Sequence, residues 1–146
     1  MVNGMEIQGL RFGEGLPKIC VPLTGQGIPA LLSELQRVAA LPADLYEWRI
    51  DCFFGDPLPV LPAVTERLDG KPLLCTLRTQ QEGGQAALSP EEYEKQVTAL
   101  LSAGGFGLVD IELACGEERV NRLVRLAKSQ GVAVVLSKHD FKKTPP

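Results

Sequence analysis

Short β-rich runs alternate with helix-like segments along this chain, and that alternation constrains the fold more than any other sequence feature. The strand-like runs lie at 18–23, 45–51, 72–78, 108–113 and 132–137. The helix-like segments between them lie at 28–41, 58–68, 89–105 and 117–130. Strands that alternate with helices predict right-handed βαβ units and a parallel sheet. Residues 5–12, ahead of the first unit, predict a short hairpin or flap.

Two α/β architectures fit this alternation. One is a partial (β/α)8 TIM barrel, and the other is a five-stranded open doubly wound sheet. Several strands are apolar almost throughout, as expected when helices cover both sheet faces or when a barrel interior is filled. The first strand–helix loop, "LTGQGIP", lacks the GxGxxG spacing of a dinucleotide site. No low-complexity linker divides residues 1–146, so we expect a single domain, and the pattern leaves the architecture open.

Composition and charge exclude several classes of protein. With a formal net charge of -3 and no cluster of Lys and Arg, the sequence has no positively charged surface that would attract nucleic acid. The N-terminus lacks the apolar stretch of a signal peptide, and no run is long enough to span a membrane, so we expect a cytoplasmic protein. The four cysteines are far apart, which favours structural thiols over a metal site or disulfides.

Charged residues gather where the predicted strands end, which is where both architectures bind ligands. Glu47, Arg49 and Asp51 should share one face of the second strand, because side chains alternate with period two. They form either a self-satisfied supporting network or a site that hydrogen-bonds a hydroxylated ligand. Arg78 ends the third strand and is either a partner for a carboxylate ligand or part of a rim salt bridge with Glu82.

The last two strands add further polar residues at the same level. Asp110 and Glu112 should share one face of the fourth strand, while Ser137 and His139 follow the fifth. His139 is the single histidine of the chain, and a histidine near carboxylates and arginines is suited to general acid–base catalysis. The pattern therefore predicts an enzyme that acts on a small polyhydroxylated acid.

Four motifs together carry a family resemblance. The segments "YEWRID", "PLLCTLRTQQEGG", "LVDIEL" and "VVLSKHDFKKTP" occur in this order and spacing. In that combination the chain resembles type I 3-dehydroquinate dehydratase of the shikimate pathway, from about residue 13 to residue 145. The resemblance implies a (β/α)8 barrel that converts 3-dehydroquinate to 3-dehydroshikimate in aromatic amino-acid biosynthesis. It implies a lysine Schiff base and a histidine general acid–base, with neither a metal nor a cofactor.

The resemblance also implies roles for individual residues. His139 matches the catalytic histidine and Glu82 the carboxylate that orients it. The positions matching substrate-binding residues are Glu47, Arg49 and Arg78. Asp51 and Glu112 match supporting groups of the barrel interior. Pro22 stands where some members have a serine that contacts the substrate, which is a departure from the pattern.

A second departure concerns the nucleophile. The resemblance places the Schiff-base lysine on a sixth strand, beyond His139, so we expect this sequence to cover about five of eight strands. Neither Lys138, Lys142 nor Lys143 is expected to substitute for it. The competing interpretation is a catalytically inactive half-barrel with a binding or structural role. Because strands one and five would have open edges, we expect a homodimer or a strand-swapped oligomer.

Overall fold

The strand-like runs of the sequence become one parallel sheet in a computed structural model that describes residues 4–144. An N-terminal hairpin pairs β1 (Met5–Ile7) with β2 (Leu10–Phe12). The sheet strands are β3 (Cys20–Leu23), β4 (Leu45–Arg49), β5 (Leu73–Thr76), β6 (Leu108–Glu112) and β7 (Ala133–Ser137). The helices are α1 (Ile28–Val38), α2 (Leu61–Arg67), α3 (Pro90–Ala103) and α4 (Glu117–Ser129). The predicted five strands, four helices and hairpin are confirmed.

Strand order distinguishes the two predicted architectures. The parallel strands follow one another as β3-β4-β5-β6-β7, with no reversal. A doubly wound sheet changes direction and carries helices on both faces. Here a single hydrophobic cluster contains the buried residues of all four helices together with one face of the sheet. The doubly wound alternative is therefore wrong, and the arrangement is that of a partial (β/α)8 barrel.

Local sequence explains where the helices begin. Ser89 caps α3 by accepting a hydrogen bond from the Glu92 N–H, and the Glu92 carboxylate accepts one from the Ser89 N–H, forming a capping box. The second predicted helix, at 58–68, is shorter than expected and begins only at Leu61. The Pro57 carbonyl accepts the N–H groups of Val60 and Leu61 in a turn before that helix.

The two faces of the sheet differ in composition. The outer face, which packs on the helices, is apolar, and Tyr46, Trp48 and Ile111 are each at most 2% exposed. At its amino end the inner face is also apolar, and Leu45, Leu74 and Leu108 line a cavity of about 430 Å³ with the segment that follows β2. Charged side chains occupy the carboxyl end of the inner face. The inner face of the sheet is thus apolar at its amino end and charged at its carboxyl end.

The sheet ends in two strands that each have one neighbour. β3 pairs only with β4, and β7 pairs only with β6, within residues 4–144. Leu136 of β7 is 52% exposed, which is unusual for a leucine in a parallel strand. No helix in the described range is long and apolar enough to cross a bilayer.

Candidate active site

Three predicted site residues lie just beyond the strands rather than within them. β4 ends at Arg49 and β5 at Thr76, so Asp51 belongs to a 3₁₀ turn at Ile50–Cys52 and Arg78 to a loop. His139 likewise follows the end of β7 at Ser137. The expectation that Asp51 shares the strand face of Arg49 through alternation is wrong. The 3₁₀ turn brings the two side chains together instead.

Asp51 joins three segments of the site. Its fully buried carboxylate accepts two hydrogen bonds from the Arg49 guanidinium, at 2.9 and 2.8 Å. It also accepts from the backbone N–H of Arg78 at 3.3 Å and of Gln85 at 3.0 Å. Within residues 4–144, Glu47 makes no hydrogen bond to this pair, so the predicted three-residue network is an Arg–Asp pair tied to the loop after β5.

These contacts shift the pKa values of both partners. Burial by itself raises the pKa of Asp51, but the hydrogen bonds from Arg49 and from two backbone N–H groups outweigh it and lower the net pKa. The hydrogen bond to Asp51 raises the pKa of Arg49, against the opposing effect of burial. Both residues are therefore held in their charged forms at neutral pH.

Arg78 is surrounded by acidic partners different from the predicted one. Its Nη1 donates to Glu112 at 3.1 Å and to the Ser137 hydroxyl at 2.9 Å, while Nη2 lies 3.1 Å from Asp110. The predicted alternative of a rim salt bridge with Glu82 is wrong. The Arg78 side chain is 10% exposed. Burial acts to lower the pKa of Arg78, but Asp110 and Glu112 raise it overall.

Further polar residues complete this cluster; Thr79 and Tyr93 were not predicted from the sequence, and Asp110 and Ser137 were placed at strand ends without a specific role. Glu112 accepts from the Thr79 N–H at 2.9 Å and from its hydroxyl at 2.7 Å, and the Glu112 N–H donates to the Tyr93 hydroxyl at 3.0 Å. Ser137 lies 2.8 Å from Asp110 and bridges it to Arg78. The position of Asp110 and Ser137 at strand ends was the available signal. Burial raises the pKa of Tyr93, which keeps its hydroxyl protonated.

Glu82 and His139 are in direct contact. One Glu82 oxygen lies 2.8 Å from His139 Nδ1 and 2.7 Å from the His139 backbone N. Glu82 is buried, whereas the His139 side chain is 41% exposed. Because a carboxylate only accepts hydrogen bonds, the neutral ring carries its proton on Nδ1. The exposed imidazole therefore has Nε2 free to take up a proton.

The loop after β5 carries Glu82 and depends on two glycines. Gly83 adopts a left-handed conformation, with φ of 87°, directly after the 3₁₀ turn Gln80–Glu82. A Cβ on Gly84 would collide with the Arg78 carbonyl oxygen. The segment "EGG" thus makes a sharp turn at Gly83 and a close backbone approach at Gly84. The loop thereby links the Arg78 cluster to Glu82.

The remaining candidates lie apart from these contacts. Pro22 is the register neighbour of Glu47 across β3 and β4. None of the five parallel strands contains a lysine, and Lys138, Lys142 and Lys143 are exposed. All four cysteines are free thiols. Within residues 4–144, no group of three or more His, Cys, Asp or Glu side chains is arranged to hold a metal ion.

Comparison with known proteins gives a consistent result. A family model described as Type I 3-dehydroquinase matches residues 19–146. A 3-dehydroquinate dehydratase from Listeria innocua is 40% identical over 149 residues, covering 99% of this chain and 59% of the relative. The chain thus spans somewhat over half the length of the curated relatives it matches.

Solved structures agree with the sequence matches. The 3-dehydroquinate dehydratase of Enterococcus faecalis superposes with a TM-score of 0.90 at 40% identity, covering 97% of this chain and 61% of that one. The type I 3-dehydroquinate dehydratase of Clostridium difficile, solved with covalently modified comenic acid, superposes with a TM-score of 0.91 at 31% identity. That match covers 98% of this chain and 58% of the other. This chain belongs to the type I 3-dehydroquinase family.

Proposed function

We propose that this chain provides the acid–base half of a cytoplasmic enzyme that dehydrates 3-dehydroquinate to 3-dehydroshikimate. The observation that carries this proposal is the Glu82–His139 contact at the carboxyl end of a barrel-type sheet. A buried carboxylate that fixes the tautomer of a half-exposed imidazole is a typical general acid–base arrangement. Family membership supplies the substrate class.

The proposed role of His139 follows from its free Nε2. Loss of water from a β-hydroxy ketone requires a base to remove a proton next to the carbonyl and an acid to protonate the leaving hydroxyl. Nε2 can take up the first proton, and the resulting imidazolium, stabilised by the Glu82 carboxylate, can return it to the hydroxyl oxygen. One histidine can therefore serve both steps.

The proposed covalent step requires a lysine outside the five strands described here. An imine between a lysine amine and the substrate ketone would withdraw electrons from the carbon that loses its proton. β3 to β7 contain no lysine, so we propose that a further strand supplies the amine. The residues of this chain would then bind the substrate and move its protons.

Substrate binding is proposed for the charged residues at the same end of the sheet. Arg49 keeps a quarter of its side chain exposed while Asp51 holds two of its nitrogens, so its free edge can donate to a hydroxyl or carboxylate. Arg78 is more enclosed, with both terminal nitrogens bound to protein groups. Glu47, which is half-buried on the inner face, is free to accept from a substrate hydroxyl.

A turnover assay combined with covalent trapping tests the proposal. The conjugated enone product absorbs ultraviolet light that the substrate does not, and borohydride would reduce an imine to a stable adduct detected by mass spectrometry. Where turnover is measurable, His139→Ala should reduce it by about 10²- to 10⁴-fold, whereas Lys138→Ala should not. Unchanged turnover in His139→Ala would contradict the role of His139. Absence of both turnover and adduct would show that this chain by itself does not catalyse the reaction.

A non-catalytic alternative is favoured by the two open edges of the sheet. β3 and β7 expose unpaired backbone groups, and Val135 and Leu136 are exposed beside one edge. In this alternative the chain is a half-barrel with a binding or structural role that self-associates as a homodimer or strand-swapped oligomer. Analytical ultracentrifugation tests it, since a compact monomer at micromolar concentration would contradict self-association through these edges.

A further inference from the structure

Phe141 lies against the loop that carries Glu82. A Cβ built on Gly83 would stand 2.5 Å from Phe141 Cζ and 3.1 Å from Cε2. The tip of the aromatic ring thus occupies the space that any larger side chain at position 83 would need. Gly83 is therefore required here for close approach as well as for its left-handed backbone.

The segment around Phe141 is fixed to His139 by short-range contacts. The Asp140 carboxylate accepts from the N–H groups of Lys142 and Lys143, at 2.9 and 3.2 Å, and closes a turn around Phe141. The Phe141 and His139 rings are nearly parallel, at 18°, with centroids 6.4 Å apart. The same short segment thus places an aromatic ring beside His139 and against Gly83, the residue that follows Glu82.

We propose that Phe141, seated on Gly83, is a positioning residue that holds the His139 ring against Glu82. The His139 side chain is 41% exposed, so water can compete for its hydrogen bond to Glu82. The Phe141 ring, packed against Gly83 next to Glu82, limits that competition. This role deepens the proposed function, on which its catalytic meaning rests, while the contact itself does not depend on the substrate.

Phe141 is suited to positioning rather than to core packing. Three quarters of its surface is exposed, so its removal should leave the fold intact. For the same reason a methyl group at position 83 should push the ring outward, although it also strains the left-handed backbone at that position. Phe141→Ala should therefore act on the His139 ring more than on stability, whereas Gly83→Ala needs a glycine control for the strain.

The single histidine makes the test direct. In a chain labelled with ¹⁵N-histidine, both ring nitrogens report on His139 alone. In alkaline buffer, where the neutral ring is observed, their chemical shifts distinguish the Nδ1–H from the Nε2–H tautomer. The unaltered chain should show mainly Nδ1–H, and in Phe141→Ala the share of Nδ1–H should fall by about half, as water competes for the ring.

A matched pair of glycine variants separates the contact from backbone strain. Gly83→Ala should reproduce the shift seen in Phe141→Ala, and the double variant should add nothing to either. Gly131 also has a left-handed φ, of 69°, but a Cβ there meets nothing within 4 Å. Gly131→Ala should therefore leave the tautomer unchanged.

Each contrary result overturns the positioning role. Unchanged ¹⁵N shifts in Phe141→Ala would do so, and so would an equal change in Gly131→Ala. Failure of Phe141→Ala to fold would contradict it as well, since a mostly exposed ring would then be a core element. Addition of 3-dehydroquinate tests the proposed function separately. Unaltered His139 signals in its presence would count against the function while leaving the positioning result in place.

Discussion

The outer face of the sheet and the carboxyl end of its inner face are formed by alternating residues of the same strands, yet different forces hold them together. In β4, Trp48 points outward into an apolar cluster, while its neighbour Arg49 points inward to Asp51. In β6, Ile111 and Glu112 show the same contrast. The outer face gains stability from burial of apolar area. At the carboxyl end of the inner face, each buried charged side chain needs a partner of opposite charge.

The comparison teaches that stability and site chemistry are separable along one strand. A change on the outer face removes packing and leaves the charges matched. A change at the carboxyl end of the inner face leaves the apolar packing intact but leaves a buried charge without its partner. Substitutions on the two faces should therefore differ in their pH dependence and in the partner changes that compensate for them.

The largest effect should come from Trp48→Ala. Trp48 is fully buried and makes an edge-to-face contact with Phe53 at 5.6 Å. Truncation should lower the free energy of unfolding by about 4 kcal/mol. Urea denaturation followed by circular dichroism measures this, because the variant loses the single tryptophan. Trp48→Phe is the control and should lose less, and a loss below about 1 kcal/mol in Trp48→Ala would contradict the packing argument.

A smaller loss is expected for Arg78→Met. The substitution leaves Asp110 and Glu112 buried without their cation, which should cost about 3 kcal/mol. Adding Asp110→Asn and Glu112→Gln should recover part of that loss, because the neutral amides need no cation. Arg122→Met removes an arginine whose ion pair with Glu94 lies at the surface, and should cost far less than Arg78→Met. Equal losses in Arg78→Met and Arg122→Met would contradict the distinction.

Asp51→Asn should have an intermediate effect that depends on pH. Loss of charge on a group with four N–H hydrogen-bond donors should cost about 2 kcal/mol near neutral pH. The folded-state pKa of Asp51 lies below its ordinary 3.8, so its stabilisation is present above that value and is lost as pH falls through the lower folded-state pKa. Chemical denaturation between about pH 5 and pH 2 should show a flatter acid slope for the variant. Parallel slopes would contradict this assignment.

The smallest effect on stability should come from His139→Ala. The side chain is half-exposed, and its one hydrogen bond to the part of the chain that the structure describes is with Glu82. The free energy of unfolding should change by no more than about 0.5 kcal/mol. Thermal denaturation measures this, and a loss comparable to that of Asp51→Asn would show that the histidine is structural.

The sequence was sufficient to predict the strands and helices, whereas the order of the strands in the sheet required the structure. Apolar periodicity and the Ser89 cap located strands and helices, because both are local signals. The choice between barrel and doubly wound sheet depended on strand order, which pairs residues far apart in the chain. Alternation cannot report that order, and only the motif resemblance favoured the barrel.

The positions of the candidate residues were easier to predict than their pairings. Arg49, Arg78 and His139 lie at or just beyond the carboxyl ends of their strands, as strand position implied. Arg78 nevertheless pairs with Asp110 rather than Glu82, because the loop after β5 turns Glu82 toward His139. Asp51 pairs with Arg49, as one predicted alternative had it, but its contacts with the backbone of Arg78 and Gln85 were missed, since a 3₁₀ turn replaces the assumed strand. Both differences arise where the chain leaves regular structure and period two ceases to apply.

The hydrogen bond from the His139 backbone N–H to Glu82 has a consequence for chemical complementation. That donor belongs to the main chain, so it persists whatever side chain stands at position 139. In His139→Ala the carboxylate would remain tethered and aimed at the space that the ring has left. Free imidazole added to such a variant would meet a prearranged acceptor, and small azoles of graded basicity could then act as replaceable proton carriers.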